Sequence, residues 1–137
     1  MVFHRHTLRR TVAVVSNDPR HVLGRLGEQL ALDHLQRLGY AMVARNHRTR
    51  FGELDLVVAG DDVLVFAEVK TRRSGRHAVP WDALDQRKQR QVRQMACAFL
   101  AEVTERPGTR DIRFDAIGVI IDPRGRLVSL NHIEHAF

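Results

Sequence analysis

The sequence predicts an α/β protein in which helices pack against a β-sheet, and three observations support that class. Two long segments carry apolar side chains at helical spacing. Between them, in residues 52–71, two apolar runs flank a Gly-Asp-Asp turn, which is typical of a β-hairpin. Further apolar strands follow the second helix. A chain of 137 residues is large enough for one core, so we expect a flexible basic arm at residues 1–20 and a single domain at residues 21–137.

The first helix is predicted over residues 21–39, where apolar residues recur at helical spacing and Gly39 supplies the stop. Gly27 falls within the apolar stripe, where the absence of a side chain permits close approach to the sheet. Glu28 falls at the edge of that stripe and can reach over the rim of the sheet. The alternative for Glu28 is a solvated helix carboxylate, and the helical pattern alone favours that alternative.

The hairpin brings four charged side chains together at its open end. Pairing the strands outward from the turn places Asp55 opposite a residue between Phe66 and Glu68. Since side chains alternate along a strand, Glu53 shares a face with Asp55, and Lys70 shares a face with Glu68. Packing the apolar residues of the two strands requires no such cluster.

This cluster has the chemistry of a divalent-metal site. Hard cations such as Mg²⁺ take carboxylate oxygens, which Asp55 and Glu68 would supply. Lys70 would orient or deprotonate a water that attacks a phosphodiester. The alternative is that Glu68 and Lys70 form an exposed pair that keeps the strand end soluble. The charges interrupt an otherwise apolar strand, which favours the metal site. On the residues alone, the metal site and the exposed pair both remain open.

Basic residues stand on both sides of the hairpin. A first strand is predicted at residues 40–46, followed by a basic loop at residues 46–50, and a second basic loop follows Lys70. The arginines of these loops are Arg48 and Arg50 before the hairpin, and Arg72, Arg73 and Arg76 after it. Such residues would draw a phosphate backbone onto the carboxylates, whereas the alternative is that the loops are simply solvated.

The second helix is predicted to begin at an Asp82 N-cap and to end before Pro107. Lys88 falls on its apolar stripe, where the stem can pack while the ammonium group extends to solvent. Cys97 adjoins Ala96 in the packed helix, so it is expected to be buried and inert.

Two more strands are predicted at residues 112–121 and 127–133, separated by an Asp-Pro-Arg-Gly turn. Arg113 and Asp115 lie in the first of these strands and are interpreted as structural rather than catalytic. His132 is interpreted as an ordinary surface or packing histidine.

The composition indicates which partners and which cellular compartment to expect. Twenty-two Lys and Arg against sixteen Asp and Glu give a net charge of +6 and a pI near 10.9, which favours polyanionic partners such as nucleic acid. One cysteine excludes an internal disulfide and a cysteine-based zinc site, so we expect a reducing cytoplasm. No stretch of the sequence is apolar enough to predict a membrane span.

Several motifs are distinctive in combination. They are Gly24-Arg25-Leu26-Gly27-Glu28, Arg45-Asn46, Gly52-Glu53-Leu54-Asp55, Phe66-Ala67-Glu68-Val69-Lys70, Lys88, Arg113-Phe114-Asp115 and the closing His132-Ile133-Glu134-His135-Ala136-Phe137. Taken together, these motifs resemble the YraN-like family of the PD-(D/E)XK nuclease superfamily, which is similar to archaeal Holliday-junction resolvases.

The resemblance implies a role for each motif residue. Asp55, Glu68 and Val69 would bind Mg²⁺ or Mn²⁺, and Asp55, Glu68, Lys70 and Glu28 would be catalytic. Lys88 would point toward the rim of the active site and the substrate. The basic loops described above add Arg48, Arg50, Arg72 and Arg73 as candidate contacts to nucleic acid. The partner would be nucleic acid, with DNA favoured over RNA, and the likeness to resolvases also suggests a homodimer.

The residues and the resemblance together predict a restriction-endonuclease-like fold, an α/β domain with a mixed central β-sheet flanked by α-helices. The function predicted is that of a metal-dependent endonuclease that hydrolyses phosphodiester bonds in nucleic acid, branched DNA included. The alternative is a non-catalytic nucleic-acid-binding module with the same fold. A purely structural protein would leave the cluster of Glu53, Asp55, Glu68 and Lys70 without an explanation.

Overall fold

A computed structural model describes residues 18–75 and 84–137 of the chain. In chain order, the elements are α1 (Pro19–Arg37), β1 (Ala41–Thr49), β2 (Gly52–Gly60), β3 (Val63–Arg73), α2 (Gln86–Glu102), β4 (Asp111–Ile121) and β5 (Leu127–Ile133).

The five strands form one mixed sheet in the order β1-β2-β3-β4-β5. β3 and β4 run parallel, and the other three neighbouring pairs are antiparallel. Parallel neighbours cannot be joined by a tight turn, so the chain leaves β3, forms α2 and returns to begin β4. The predicted α/β class with a mixed central sheet is confirmed.

The two helices cover opposite faces of the sheet. Alternate residues of β2 and β3 divide between two cores, one under each helix. The α1 core contains Ala31, Leu35, Leu56, Val58, Val65, Ala67, Ile117 and Val119. The α2 core contains Val57, Ala59, Leu64, Phe66, Val92, Met95, Ala96 and Phe99. The sheet is therefore buried on both faces, which explains the continuous apolar runs in its central strands.

The first strand is longer than the sequence predicts. β1 continues to Thr49, and Arg48 pairs with Glu53 across to β2. The predicted basic loop at residues 46–50 is therefore wrong for all but its last position. Strand β1 is an edge strand, so its polar side chains remain accessible to solvent while its backbone completes the sheet.

The start of α2 also differs from the prediction. Asp85 is the N-cap, because its Oδ1 accepts a 2.8 Å hydrogen bond from the backbone N–H of Lys88. The predicted cap, Asp82, lies outside the described residues, as does Arg76. Leu84 is buried but precedes the helix.

The predicted arm at residues 1–20 overlaps the first helix. Asp18 caps α1 by accepting a 3.0 Å hydrogen bond from the N–H of Arg20, and the helix begins at Pro19. Residues 1–17 of the predicted arm lie outside the described residues. Within the described ranges, no helix combines the length and the apolar content that a membrane crossing requires.

Candidate functional site at the open end of the β2–β3 hairpin

The backbone pairing of β2 with β3 stops where the acidic residues begin. It runs from Gly60 opposite Val63 to Leu56 opposite Ala67, so Asp55 and Glu68 come next on their strands. This confirms the predicted register. Beyond the last pair, Oδ2 of Asp55 accepts a 2.9 Å hydrogen bond from the backbone N–H of Val69. A side-chain oxygen thus satisfies an N–H at the point where the two strands stop pairing.

Two irregularities coincide around Asp55. Leu54 and Leu56 are two residues apart on one strand, yet they pack into cores on opposite faces of the sheet, so the alternation breaks between them. On the neighbouring strand, Asn46 lies between the residues paired with Leu56 and Leu54, and its φ is 49°. Left-handed backbone is uncommon outside glycine, although asparagine tolerates it better than most residues. The sheet is locally distorted where the carboxylates stand.

The carboxyl groups of Asp55 and Glu68 repel each other in a poorly solvated position. Glu68 is only 5% exposed. Burial, followed by the hydrogen bond and the charge of Glu68, raises the pKa of Asp55 to about 9, although the Val69 N–H and the charge of Lys88 oppose the shift. The pair therefore retains a proton or requires a nearby cation.

Lys88, in the first turn of α2, supplies one such cation. Its Nζ is 3.3 Å from Oε1 of Glu68. The ammonium group lies within ion-pair distance, but Oε1 of Glu68 is buried and accepts no well-aligned hydrogen bond. The charged end of Lys88 therefore points at Glu68, while its side chain remains partly exposed to solvent.

Helix α1 brings a third acid toward the pair. Gly27 is buried against β3, and a Cβ built on it would lie 1.8 Å from Oγ1 of Thr71. This confirms that Gly27 permits close packing. The next residue, Glu28, is consequently held at the rim and not on the solvated face of the helix.

Glu28 is fixed by partners that the sequence does not assign to the site. Nδ2 of Asn46 donates a 2.8 Å hydrogen bond to Oε2 of Glu28, and Arg25 hydrogen-bonds Oδ1 of Asn46. Burial raises the pKa of Glu28, the Asn46 hydrogen bond opposes this, and the charge of Asp55 raises the pKa further. Arg25 and Asn46 are part of the motifs quoted above, but their contact requires the folded arrangement of α1 and β1.

Lys70 stands two residues beyond Glu68 on β3 and is partly exposed. Within residues 18–75 and 84–137, it forms no ion pair. Its side chain shares a strand face with Glu68, so its ammonium group is available to a molecule that approaches the acids.

The predicted phosphate-binding arginines end up at one end of the sheet. Arg48 is the next-to-last residue of β1, and Arg50 lies in the β1–β2 turn. Arg72 and Arg73 are the last residues of β3. All four are exposed, and both groups lie at the open end of the hairpin. The four arginines therefore lie at the same end of the sheet as the carboxylates. Arg48, Arg72 and Arg73 are in strands and not in the two predicted loops, and Arg50 is in a turn.

The groups that could bind a metal ion at this end of the hairpin are oxygen ligands. Among the described residues, no three His, Cys, Asp or Glu side chains are grouped closely enough to hold a metal ion by themselves. Mg²⁺, however, keeps several waters and is commonly bound through one or two carboxylates. Asp55 and Glu68, with the carbonyl oxygen of Val69, fit that pattern, and the poorly satisfied Oε1 of Glu68 is an oxygen without an aligned donor.

A second charged cluster lies on β4 and β5. Asp115 is fully buried and accepts hydrogen bonds from Nε of Arg113 at 2.7 Å and from Nε2 of His132 at 2.7 Å. Arg113 also donates to the hydroxyl of Tyr40, and the other ring nitrogen of His132 is 3.0 Å from Nε2 of His34. These contacts join α1, β4 and β5, which supports the structural interpretation of Arg113 and Asp115. His132 packs in this cluster.

The prediction that Cys97 is buried is wrong, because Cys97 is exposed. The buried residues of α2 are Val92, Met95, Ala96 and Phe99. One residue along a helix turns the side chain by about 100°, so the neighbour of a buried alanine can face solvent.

The fold and the site define an α/β protein with one helix on each face of a mixed sheet and a carboxylate pair at a hairpin end, of which Glu68 is buried and Asp55 is half-buried. The sequence matches the model of the uncharacterised protein family UPF0102 over residues 27–119. The chain belongs to this family, which confirms the YraN-like resemblance.

Similar bacterial proteins cover nearly the whole of the domain. The UPF0102 protein of Pelotomaculum thermopropionicum is 41% identical over 120 residues, which span 88% of this chain and 98% of the relative. The UPF0102 protein of Mycolicibacterium gilvum is 45% identical over 119 residues, which span 85% of this chain and 94% of the relative. These relatives show the family to which the chain belongs, and the site is the basis for its function.

Proposed function

We propose that this protein is a metal-dependent endonuclease that hydrolyses phosphodiester bonds in nucleic acid, with DNA favoured over RNA. The observation that carries the proposal is the adjacent pair of a half-buried Asp55 and a buried Glu68 at the end of a hairpin, with Lys70 two residues further on. The mixed sheet between two helices is compatible with a restriction-endonuclease-like fold of the PD-(D/E)XK superfamily. Its setting would be the cytoplasm.

The proposed chemistry divides among the side chains at the hairpin end. Asp55, Glu68 and the carbonyl oxygen of Val69 would hold Mg²⁺ or Mn²⁺. When bound, such an ion stabilises charge on the phosphate and lowers the pKa of a coordinated water. Lys70 would hold the attacking water or the phosphate oxygen through its ammonium group. Glu28, positioned by Asn46, would orient a water at the rim.

The surface charge supports a nucleic-acid substrate. The chain carries a net charge of +6, and Arg48, Arg50, Arg72 and Arg73 stand exposed at the end of the sheet that carries the acids. Lys88, beside Glu68, would meet a phosphate near the acids. Contacts from arginine and lysine to phosphates position a nucleic acid without reading its sequence.

One observation favours a second candidate, a nucleic-acid-binding module without catalysis. Lys88 already places an ammonium group 3.3 Å from Glu68, which provides a counter-charge for the acid pair in the absence of any other cation. In that case the basic surface would bind nucleic acid, and the carboxylates would serve the packing of α2 on the sheet.

The two candidates are separated by an assay with branched, duplex and single-stranded substrates in Mg²⁺ or Mn²⁺, with EDTA as the control. Asp55→Asn and Glu68→Gln preserve shape but remove ligand charge, so cleavage should vanish while binding survives. Asp61→Asn is the matched control, because Asp61 is exposed at the closed end of the hairpin. It should cleave like the wild type.

Calorimetric titration with Mn²⁺ completes the test. We expect the wild type and Asp61→Asn to bind the ion and the two site variants to lose it. If the wild type binds no divalent ion at millimolar concentration with nucleic acid present, the nuclease proposal fails and the binding module becomes the better account.

A further inference from the structure

A groove on the outer side of α2 has no role in the chemistry proposed above. Its volume is about 540 Å³, within the range of roughly 300–1,000 Å³ found for small-molecule sites. One wall is the β1–β2 turn, with Arg50 and Phe51, and the other is α2. Three of the side chains that α2 presents to the groove are small, namely Cys97, Ala98 and Ala101, which leaves space between the helix and the turn.

The aromatic wall is held in place by three hydrogen bonds of the turn. The N–H of Phe51 donates to Oγ1 of Thr49 at 3.1 Å, and Oγ1 of Thr49 donates to the carbonyl of Gly52 at 2.9 Å. The carbonyl of Phe51 accepts from Nε2 of Gln91 at 2.8 Å, which ties the turn to α2. A ring positioned in this way binds a flat partner without first losing conformational freedom.

The charge of the groove suits a ligand that carries phosphate. The guanidinium carbon of Arg50 lies 4.7 Å from the centre of the Phe51 ring, so this pair presents a flat cationic surface. Arg93, on the α2 wall, is held over the ring of Phe114 at 4.8 Å. Two arginines thus line the groove, against one acid, Glu102, at the end of the helix.

The groove and the carboxylates lie along the same helix. Lys88 is beside Glu68, and Gln91, one turn later, holds the Phe51 turn. Gln94 lines the groove and is six positions after Lys88, which is roughly 9 Å along a helix axis. A single strand spans such a distance with one or two nucleotides, since a fully extended backbone advances by more than the rise of a stacked base.

We propose that this groove receives an unpaired base of the nucleic acid whose phosphate lies at Asp55 and Glu68. The base stacks on the Arg50–Phe51 pair, against the small side chains of α2, and the flanking phosphate meets Arg93. Stacking of bases on aromatic rings and guanidinium planes is the usual way in which proteins hold unpaired strands. The inference rests on the proposed function and specifies its substrate class, which is nucleic acid with unpaired bases beside the cleaved bond.

The test measures binding in EDTA, where no cleavage occurs, so its failure is distinct from failure of the nuclease proposal. The probes are a short single-stranded DNA and an abasic oligomer of the same length and charge. Removal of the bases should weaken binding by about tenfold, because stacking on an aromatic side chain contributes on that order per base. A duplex with a single-stranded flap should bind more tightly than a blunt duplex of equal charge.

Cys97 provides a direct reporter, since it is the only cysteine of the chain and lines the groove. The single-stranded DNA should protect it from a thiol reagent, and the abasic oligomer at equal occupancy should not. Phe51→Leu keeps an apolar side chain on the core, and Ala101→Leu fills the groove from an exposed position. Both should abolish the preference for bases over the abasic oligomer.

Arg126→Gln is the control, because Arg126 is exposed in the turn before β5, far along the chain from the groove. It should lose a little affinity for both oligomers and keep the preference. Equal affinity of the wild type for the DNA and the abasic oligomer would overturn the inference. Equal protection of Cys97 from the thiol reagent by the two oligomers would overturn it as well. Tight base-dependent binding without cleavage in Mn²⁺ would support base binding in the groove and contradict the nuclease proposal.

Discussion

Oδ2 of Asp55 accepts a hydrogen bond of 2.9 Å from the backbone N–H of Val69, the residue that follows the second acid of the pair. One carboxyl group therefore has two tasks. It completes the hydrogen bonding where β2 and β3 separate, and it faces Glu68 at the proposed metal site. Amide and apolar substitutions separate these tasks, since an amide oxygen can replace the structural contact but carries no charge.

Asp55→Asn should be as stable as the wild type in EDTA, or more stable, because the amide still accepts from Val69 and no longer repels Glu68. Asp55→Ala should be less stable by about 1–3 kcal/mol, the usual cost of leaving a buried N–H without its acceptor. Urea denaturation in EDTA measures both. Equal destabilisation by the two substitutions would show that charge, and not the hydrogen bond to Val69, supports this end of the hairpin.

Lys88 and Lys70 should respond differently to the same substitution. Lys88→Met removes the ammonium group 3.3 Å from Glu68. The acid pair then lacks its counter-charge, so Mn²⁺ affinity should rise by roughly three- to tenfold, a moderate effect because Lys88 is partly exposed to solvent. The melting temperature in EDTA should fall.

Lys70→Met is the matched variant, since Lys70 forms no ion pair within the described residues. It should leave Mn²⁺ affinity and metal-free stability nearly unchanged and reduce cleavage. Calorimetric Mn²⁺ titration and thermal melts distinguish the pair. If Lys88→Met binds Mn²⁺ no better than Lys70→Met, Lys88 does not compete with a cation for Glu68.

The hairpin and its register could be predicted from sequence because a short turn fixes which residues oppose one another. That local rule places Asp55 beside Glu68 without any tertiary information. The last two strands follow in the same way from apolar runs bounded by a turn. Local rules also place Gly27 and Glu28 on the correct edge of α1.

The remainder of the site depends on contacts between distant elements. The sequence predicts that the first strand ends at Asn46, because the residues that follow are basic and polar, whereas the edge of the sheet accommodates these residues in β1. Its hydrogen bond to Glu28 joins residues eighteen positions apart. The exposure of Cys97 cannot be predicted from its buried neighbour Ala96, since adjacent residues of a helix face different directions.

Close packing of α1 on β3 makes a prediction about Gly27. Gly27→Ala places a methyl group 1.8 Å from Oγ1 of Thr71, so the helix or the strand must shift. We expect a loss of stability of about 1–3 kcal/mol, as for other overpacked cores, and weaker cleavage because Glu28 moves with the helix. Thr71→Ala in the same chain removes the two nearest atoms and should restore part of the stability.

Gly24→Ala is the control on the same helix, since a Cβ at Gly24 meets nothing within 4 Å. It should stabilise the protein by up to about 1 kcal/mol through helix propensity. Urea denaturation compares the three variants. A Gly27→Ala protein as stable as Gly24→Ala would contradict the tight contact with Thr71.

The cluster around Asp115 predicts a loss of stability in acid that occurs in two stages. Burial, then the charges of His132 and Arg37, lower the pKa of His34 below its ordinary value of 6.5. The unfolded chain therefore binds a proton at this position more readily than the folded chain does. Stability should decline as the pH falls from about 7 toward 5, because protons favour the state that binds more of them.

The second stage belongs to Asp115. Burial alone would raise its pKa, but the hydrogen bonds from His132 and Arg113 outweigh burial and lower the pKa from its ordinary value of 3.8. Its contribution to stability is therefore present above about pH 4 and is lost as the pH falls through the lower folded value. Asp115→Asn should remove this stage and destabilise the protein at neutral pH, since an amide cannot accept from both partners as a charged carboxylate does.

Histidine substitutions on α1 test the first stage. His34→Gln removes the titrating ring, so the decline in urea-unfolding free energy between pH 7 and 5 should become shallower than in the wild type. His21→Gln is the matched control, because His21 is exposed on the same helix, and it should keep the wild-type slope. If His34→Gln and His21→Gln decline equally with falling pH, the His34–His132 contact does not govern stability in this range, and the first stage must originate from another group.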